Sequence, residues 1–347
     1  MTETFRPDAL PRALTGVDEL IHEGLADPAD GPQLEAVAAE FRIRIPPALP
    51  RDSAGVRAQV VPSVAELTIR PEELADPIGD DAHRPVPGLT HRYPDRAILH
   101  ATQTCEVYCR FCFRRETVGD TGSLSEDGFA QVLDYLRATP AVREVIFTGG
   151  DPLVLSPRRL GAMLAALEEI PSVELVRFHT RMPVVAPEKV TPALAEVLDR
   201  RLPVWVVIHT NHPDEITPAA AAAFRRLTRA GVPLLSQTVL LRGVNADADT
   251  LEHLFRKLIA HRVKPYYLHH PDLAKGTGHF RLPLSEGQAI MAALRGRLTG
   301  IAQPLYVLDL PGGHGKVPVG PGYLQPDGQG GWIVTDPQGN RHSYRDR

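Results

Sequence analysis

The chain has 347 residues but only three cysteines, and these three, Cys105, Cys109 and Cys112, lie within one eight-residue segment. An odd number of clustered cysteines excludes a disulfide framework and favours a metal or redox role in a reducing compartment. An excess of positive charge is also lacking, because 38 Lys and Arg against 42 Asp and Glu leave a net charge of −4. Nucleic acid is therefore not expected as a partner.

Long apolar runs are absent as well. No stretch approaches about 18 uncharged apolar residues, so we expect no membrane span. The N-terminus begins Met1-Thr2-Glu3-Thr4 and has no basic region followed by an apolar run, which predicts no signal peptide and a cytoplasmic protein. The content of 43% hydrophobic and 23% charged residues is ordinary for a globular enzyme and excludes a disordered chain.

From Arg96 onward, short apolar runs alternate with amphipathic stretches, which is typical of a parallel sheet covered by helices. The predicted strands are 97–101, 144–148, 174–179, 204–209, 233–240 and 264–269. The predicted helices are 125–137, 157–169, 192–200, 218–230 and 248–261. About six β-α units are too few for an eight-fold barrel, so we predict a partial barrel, with an open doubly wound sheet as the alternative. Polar residues gather at the predicted carboxyl ends of the strands, where α/β folds build their sites.

The regions that flank this pattern differ from it in composition. Residues 1–90 are rich in proline, alanine and acidic residues, and we predict a proline-rich arm with helices at 11–25 and 33–42. Residues 320–347 are predicted to form a small hairpin or an extended tail.

The barrel domain is predicted to span 91–319. Its last part is expected to contain a helix at 285–298, a strand at 305–309 and a glycine-rich loop that carries Lys316.

The cysteine spacing is C-x3-C-x2-C over residues 105–112. Tetrahedral zinc normally uses four protein ligands, and a histidine would have to complete the set, so zinc remains an alternative. Thiolates also hold iron–sulfur clusters. Three cysteines on a four-iron cluster would leave one iron open to a small molecule.

This cysteine segment, which follows a predicted strand, resembles the cysteine loop of the radical S-adenosylmethionine (SAM) enzymes. The segment 148–152, Thr-Gly-Gly-Asp-Pro, is similar to the glycine-rich segment of that superfamily. The resemblance implies an α/β fold of the radical SAM type, a partial (β/α)6 barrel similar to a TIM barrel. It also implies a 4Fe–4S cluster on the three cysteines and SAM on the open iron. The residues expected on the SAM side of the site are Gly149, Gly150, Asp151, His209, Asn211 and Gln237.

Longer motifs in the same order resemble the lysine 2,3-aminomutase family, a subgroup that also uses pyridoxal phosphate (PLP). They are PGLTHRYPDR at 87–96, the cysteine loop at 105–115, FTGGDPL at 147–153, HTRMPVVAP at 179–187, KPYYLHHPDLAKGTGHF at 264–280 and VLDLPGGHGKVPV at 307–319. The resemblance implies that Lys316 is the catalytic lysine that binds PLP covalently. Arg92, Tyr93 and Arg96 match the residues that surround the PLP phosphate.

A lysine substrate would present a carboxylate and a distal ammonium group. Arg114 matches the family residue for the carboxylate, which a guanidinium can bind bidentately. Asp272 and Asp309 match the pair that binds the ammonium, although either alone could be a turn or cap residue. Two acids would repel the side chain of a glutamate substrate. The implied activity is the interconversion of L-lysine and β-lysine by migration of the amino group from Cα to Cβ.

The chain departs from the family pattern at two places. Clostridial-type members carry further cysteines for a structural zinc, and because no cysteine follows Cys112 we expect no structural zinc. The subunit assembly that accompanies that zinc is then in doubt, and a homo-oligomer is left open. The family often has tyrosine where His269 stands.

Alternative functions stay open at this point. The chain length is close to that of the short aminomutase that supplies β-lysine for elongation factor P, but that enzyme lacks the second acid that Asp309 provides here. An aminomutase for another amino acid is a further alternative. A plain iron–sulfur electron carrier would need neither Lys316 nor the aspartate pair. The expected partners are free L-lysine and a low-potential electron donor of the flavodoxin or ferredoxin type.

Overall fold

The computed structural model describes residues 12–119 and 122–346. The first eleven residues of the predicted arm, and with them the start of the predicted helix 11–25, lie outside the described residues.

Within the described ranges, nine strands form one sheet in the order β1 to β9, and the chain crosses it from one edge to the other. These strands are β1 Leu89–Tyr93, β2 Arg96–Thr102, β3 Glu144–Gly149, β4 Leu175–Thr180, β5 Val204–His209, β6 Leu234–Val239, β7 Val263–His269, β8 Leu305–Leu310 and β9 Gly315–Pro318. Strands β2 to β8 are parallel, whereas β1 and β9 pair antiparallel at the two edges. The predicted partial barrel is therefore confirmed, and the open doubly wound sheet is wrong.

The first three helices precede the sheet in the chain, and the later ones follow its strands and cover its outer face. They are α1 Val17–His22, α2 Gly31–Glu40, α3 Ala54–Val60, α4 Glu126–Ala138, α5 Pro157–Glu168, α6 Met182–Val185, α7 Pro192–Leu198, α8 Pro218–Arg229, α9 Ala248–Ala260 and α10 Leu284–Arg295. None of these described helices is long and apolar enough to cross a membrane.

The helices begin where the sequence provides N-caps. The side chains of Ser125, Ser156, Thr191, Thr217 and Asp247 each accept a hydrogen bond from a backbone N–H in the first turn of α4, α5, α7, α8 and α9. Such a bond satisfies a donor that has no partner within the helix. The helices between the strands therefore start within two residues of the predicted positions.

Alternation along the strands separates the core from the site, because successive side chains of a strand point to opposite faces. On β3, Val145 and Phe147 are fully buried in the hydrophobic core, while Ile146 and Thr148 face the interior of the barrel. On β4, Phe178 packs on Phe147 with ring centroids 4.5 Å apart. The helices cover the outer side chains, and the inner ones enclose a cavity.

Two edge strands were not predicted. Strand β1 starts at Leu89, inside the predicted arm, and strand β9 carries Lys316, which the sequence placed in a loop. The Cα atoms of Asp309 and Lys316 are partners in the antiparallel β8–β9 pair. The Pro-Gly-Gly segment 311–313 reverses the chain between the two strands. The four residues of β9 can therefore pair with β8.

The C-terminal residues form a separate three-stranded antiparallel sheet, where a hairpin or an extended tail was predicted. Its strands are β10 Leu324–Pro326, β11 Trp332–Thr335 and β12 Arg341–Tyr344. The second and third strands, β11 and β12, are joined by a turn at 336–340, which Asp336 closes by accepting hydrogen bonds from the backbone of Gln338 and Asn340.

Candidate active site

The interior of the barrel holds a cavity of about 590 Å³. All but one of the predicted site residues line it. These are Arg92, Tyr93, Arg96, Cys105, Cys109, Cys112, Arg114, Gly149, Gly150, Asp151, His209, Gln237, Asp272, Asp309 and Lys316. Residues that are more than 220 positions apart in the sequence thus share one enclosed space.

Asn211 is the exception, because it is fully buried behind the cavity wall. Its side chain donates to Oε1 of Gln59 at 3.0 Å and accepts from the backbone N–H of Val239 at 2.8 Å. The carboxyl end of β5 is thereby tied to β6 and to the arm. The structure assigns Asn211 a packing role and does not bring it to the predicted SAM side.

The three cysteine thiols face the cavity at one end. Burial raises the pKa of Cys105, and the charges of Asp151 and of the other two cysteines add to the effect. Burial and the neighbouring Cys109 raise the pKa of Cys112 to about 11. Thiolates are soft ligands for iron, and three cysteines of one loop that line the same cavity are suitable donors for three irons of a cluster. The donor set fits the predicted 4Fe–4S cluster.

Arg181, which lies within the motif at 179–187 but was not predicted as a site residue, supports the cysteine loop. Its Nη1 donates to Sγ of Cys109 at 2.8 Å, and its Nη2 donates to Gln59 at 2.6 Å and to Glu215 at 2.9 Å. Burial lowers the pKa of Arg181, but the negative charges of Cys109 and Glu215 outweigh burial and hold it above its ordinary value. The guanidinium therefore remains a charged donor beside the sulfur.

Gly149 and Gly150 are required by a close approach of two backbone segments. A Cβ atom on Gly150 would lie 2.3 Å from the carbonyl oxygen of Thr104, a distance that no side chain tolerates. Without it, the N–H of Gly150 donates to Thr102 at 2.6 Å, and the N–H of Asp151 donates to Thr104 at 2.9 Å. These bonds hold the start of the cysteine loop against the end of β3. The predicted contact of these glycines with SAM stays a prediction.

The carboxylate of Asp151 is fully engaged within the protein. It accepts hydrogen bonds from the backbone N–H groups of Leu153, Arg181 and Met182 and from the hydroxyl of Thr180, at 2.7–3.0 Å. Four donors satisfy the acceptor capacity of one carboxylate. Asp151 thus joins the ends of β3 and β4. It lines the cavity, but its carboxylate is already occupied by donors of the protein.

Lys316 lies at the other end of the cavity, inside a polar triangle. Its Nζ contacts Oδ2 of Asp309 and donates to Nδ1 of His269 at 3.2 Å, and His269 Nδ1 lies 3.4 Å from Asp309. Burial raises the pKa of Asp309, but the nearby His269 and the positive charge of Lys316 outweigh burial and keep it well below its ordinary value. Burial and the charge of Lys316 lower the pKa of His269, so this imidazole is neutral.

The backbone of Lys316 links the two edge strands of the sheet. Its N–H donates to the hydroxyl oxygen of Tyr93 on β1 at 2.7 Å, and the guanidinium of Arg96 lies 3.7 Å from the ring centroid of Tyr93. Tyr93 and Arg96, which the sequence placed around a phosphate, therefore lie beside Lys316. This arrangement fits PLP, which needs an amine for its aldehyde and cations for its phosphate.

Asp272 is a half-buried residue whose carboxylate oxygen Oδ1 is buried. Among the described residues, nothing hydrogen-bonds its Oδ1. Burial and the charge of Asp309 raise the pKa of Asp272 to about 7. A buried acceptor without a partner carries a free-energy cost that a bound cation would remove. Asp272 is therefore able to receive an ammonium group.

A single carboxylate from the arm, that of Asp80, binds two of the predicted site arginines. Its Oδ2 accepts from Nε of Arg114 at 2.8 Å, and its Oδ1 accepts from Nη2 of Arg92 at 3.0 Å. Burial alone would raise the pKa of Asp80, but the positive charges of Arg114 and Arg92 outweigh burial and hold it below its ordinary value. No sequence signal pointed to Asp80, which lies in the proline-rich arm.

Further cavity residues were missed although strand alternation could have revealed them. Arg177 and His179 are the inward-facing residues of β4, and Arg177 donates to Glu144 at 3.1 Å. Within the described part of the chain, Nε2 of His179, His209 and His269 has no hydrogen-bond partner. Burial lowers the pKa of each of these histidines, which leaves neutral rings on the cavity wall.

Comparison with known families and proteins gives consistent matches. Residues 99–255 match the model of the radical SAM superfamily, and residues 291–346 match the model described as lysine-2,3-aminomutase. The first match covers the cysteine loop and most of the parallel strands, and the second covers β8, β9 and the C-terminal sheet.

Individual relatives resemble most of the chain. L-lysine 2,3-aminomutase from Clostridium subterminale is 44% identical over 83% of this chain and 69% of its own length. The enzyme of the same name from Fusobacterium nucleatum subsp. nucleatum is 43% identical over 79% of this chain and 64% of its own length. Glutamate 2,3-aminomutase from Clostridioides difficile is 37% identical over 91% of this chain and 76% of its own length. The chain thus spans about two thirds of the length of the two lysine relatives.

Proposed function

The chain belongs to the lysine 2,3-aminomutase family of the radical SAM superfamily, and on that premise we propose that it interconverts L-lysine and β-lysine with the help of PLP. It is an enzyme, an isomerase of the aminomutase type. One observation carries the choice of substrate: Arg114 and the acids Asp272 and Asp309 line the same cavity as the three cysteines and Lys316.

The charges of the cavity are complementary to lysine. Asp309 already holds an ammonium group, that of Lys316, and Asp272 offers a buried oxygen without a partner. When Lys316 is engaged with a cofactor, the two acids are left to bind the distal ammonium of the substrate. A glutamate side chain would bring a third carboxylate to the same place, and like charges in a desolvated site repel strongly.

The residues present fit the cofactors that the family implies. Cys105, Cys109 and Cys112 would hold the 4Fe–4S cluster that binds SAM, while Lys316 and the Arg92–Arg96 segment would hold PLP. When bound, these groups supply the radical that removes hydrogen from Cβ of the substrate and the π system that assists migration of its nitrogen.

The chain's own residues bind, orient and move protons. Lys316 must lose a proton from Nζ before it can act as a nucleophile toward an aldehyde. His269 Nδ1 lies 3.2 Å from that atom on a neutral ring, so it is placed to accept the proton, and Asp309 steadies the resulting imidazolium.

Reduction of the cluster requires an electron at low potential, and we propose a flavodoxin- or ferredoxin-type protein as its donor and the cytoplasm as the place of the reaction. The reducing compartment inferred from the clustered free cysteines supports this location.

The test is anaerobic reconstitution of the protein with iron, sulfide, PLP and SAM, followed by reduction with dithionite. Lysine, glutamate and arginine are then supplied separately, and β-amino acids are identified by mass spectrometry. We expect β-lysine from lysine and no β-glutamate from glutamate. Formation of β-glutamate without β-lysine would overturn the substrate assignment, and the absence of any β-amino acid would overturn the activity.

A further inference from the structure

Asp80 lies in a segment of the arm, residues 76–83, that is pinned against the barrel. Its backbone N–H and that of Asp81 both donate to the carboxylate of Asp76 at 2.9 Å. The N–H of Gly312 donates to the carbonyl oxygen of Pro77 at 3.3 Å. This arm segment therefore touches the turn that precedes Lys316.

The contact between the arm segment and that turn is too close for a side chain. Gly79 has a φ of +68°, and a Cβ atom there would lie 2.7 Å from the backbone of Gly312. Only glycine meets both conditions. The backbone of the arm segment is thus held in one place, and the Asp80 side chain extends from it to Arg92 and Arg114, which line the cavity.

Arg92 and Arg114 come from different parts of the sequence, the first from β1 and the second from the residues after the cysteine loop. Two guanidinium groups close enough to bind one carboxylate repel each other, most strongly where water is excluded. Asp80 binds one arginine on each oxygen, and all three side chains are largely buried. The two arginines can stay side by side because the Asp80 carboxylate between them offsets their mutual repulsion.

Both arginines keep donors for other ligands. Nε of Arg92 is buried and has no partner among the described residues. Arg114 uses Nε and Nη2 toward Asp80, which leaves part of its fork of N–H groups toward the cavity it lines. Asp80 therefore neutralises the pair without using up its donors.

We propose that Asp80 is a positioning residue that couples the phosphate site of PLP, at Arg92, to the carboxylate site of the substrate, at Arg114. This inference rests on the proposed function. Loss of the carboxylate would free both arginines to move apart, so that the two ligands would both bind more weakly. An arginine substitution, by contrast, would weaken chiefly the ligand which that arginine contacts.

The test uses Asp80→Asn in the full chain, because this change preserves shape and removes charge. The PLP dissociation constant is measured by equilibrium dialysis. The lysine dissociation constant is measured by calorimetry on the PLP-loaded protein without reductant, so that no turnover occurs. We expect both constants to rise by about tenfold or more, the size associated with lost charge-assisted contacts. Arg92→Gln should raise chiefly the PLP constant, and Arg114→Gln chiefly the lysine constant.

Two further variants serve as controls. Asp81→Asn removes a neighbouring exposed carboxylate that pairs with Arg84 at the surface, and it should change neither constant. Asp80→Glu restores the charge and should recover part of both affinities, which a loss of folding would not do. If Asp80→Asn is insoluble, two other variants carry the test. One is Asp80→Glu, and the other is the double variant Asp80→Asn with Arg114→Gln. For the double variant, the change in the PLP dissociation constant should differ from the sum of the separate effects at the two positions.

The outcomes separate the two ideas. If the wild type binds lysine and Asp80→Asn, with unchanged melting temperature, alters only one constant or neither, this inference is wrong and the proposed function stands. If the wild type binds PLP but no lysine, the proposed function fails and the coupling fails with it.

Discussion

The two ends of the cavity differ in how their polar groups are satisfied. At the cysteine end, Asp151 accepts four hydrogen bonds, and Arg181 is surrounded by Cys109, Gln59 and Glu215. At the lysine end, Asp272 Oδ1, His269 Nε2 and Arg92 Nε are buried without partners in the described structure. We call the first end the closed network because the carboxylate of Asp151 and both terminal nitrogens of Arg181 are engaged, although Nε of Arg181 and Nε2 of His209 have no partner in the described structure. We call the second end the open network because a carboxylate oxygen, Oδ1 of Asp272, is left for a ligand to bind.

The difference follows from what each end is proposed to bind. A metal cluster is held by three covalent thiolate bonds, so its surroundings need only fix the loop and the charge. A free amino acid has to be recognised by hydrogen bonds and charges alone, and these are strongest where the protein's own groups are desolvated and uncommitted. Buried polar groups without partners lower the free energy of unfolding of the protein.

Breaking the closed network should have the largest effect on folding. Arg181→Gln leaves Glu215 buried without its cation, and an unpaired buried charge costs about 3–5 kcal/mol. We expect the free energy of unfolding of the cofactor-free protein, measured in urea, to fall by that amount. Arg143→Gln, which breaks an exposed pair with Glu174, should change it by less than about 0.5 kcal/mol. Equal effects of the two substitutions would contradict the comparison.

The open end should be more sensitive in catalysis. Asp309→Asn removes one acid from the ammonium site and the partner of Lys316, and kcat/KM for lysine is expected to fall about 10²–10³-fold, equivalent to about 2.7–4 kcal/mol. Steady-state assays on the reconstituted enzyme measure this loss. The control is Asp134→Asn, which removes an exposed carboxylate paired with Arg137. Unchanged lysine turnover in Asp309→Asn would refute the role of the acid pair.

At the same open end, removing the charge of the unpaired Asp272 carboxylate is expected to raise the free energy of unfolding. The pKa of Asp272 is raised to about 7, so the folded protein retains a proton that the unfolded chain releases near pH 4. Stability contributed by this group therefore declines between about pH 4 and pH 7 and stays low above it. Asp272→Asn should raise the free energy of unfolding at pH 8 by on the order of 2 kcal/mol, and by little at pH 4.

Thermal unfolding at the two pH values checks this prediction, with Asp134→Asn again as the exposed control. A lower melting temperature of Asp272→Asn at pH 8 would mean that the Asp272 carboxylate is satisfied in the folded protein.

The smallest expected effect is a pH dependence of lysine binding. Asp272 attracts an ammonium only when ionised, which occurs above its pKa of about 7 in the ligand-free site. The affinity for lysine should therefore increase up to about tenfold, or 1.4 kcal/mol, between pH 6 and pH 8. Calorimetry across this range measures it, and Asp272→Asn should flatten the profile. If the affinity of the wild type for lysine did not change with pH, the substrate ammonium would be bound by Asp309 without Asp272.

Prediction from sequence succeeded where the signal is local. The limits of the predicted barrel strands and helices followed from short apolar runs and amphipathic stretches, because both patterns depend on neighbours within a few positions. The fold class followed from the serial order of these elements. Cys105, Lys316 and Asp272 were predicted to share a site because each lies in a recognisable motif, and the structure brings the three residues to one cavity. Their roles stay predictions.

Prediction failed where a residue's role depends on distant partners. Strand β9 is too short to show a pattern, and it forms because β8 lies beside it. Asn211 has the polarity of a ligand contact, but its partners Gln59 and Val239 satisfy it within the wall. Asp80 lies in a segment without periodicity, and only the packing of Gly79 on Gly312 directs it to Arg92 and Arg114.

The sequence by itself determined the chemistry that is available: three thiols in one loop, a lysine beside glycines, and acids and arginines at strand ends. Those features are carried by residue type and spacing, which the chain retains whether folded or not. Only the tertiary structure decided which polar groups hydrogen-bond to each other and which remain without a partner and available to a ligand. That division depends on burial and on contacts between residues as far apart as Asp80 and Gly312, and it arises when the arm and the two edge strands meet around one cavity.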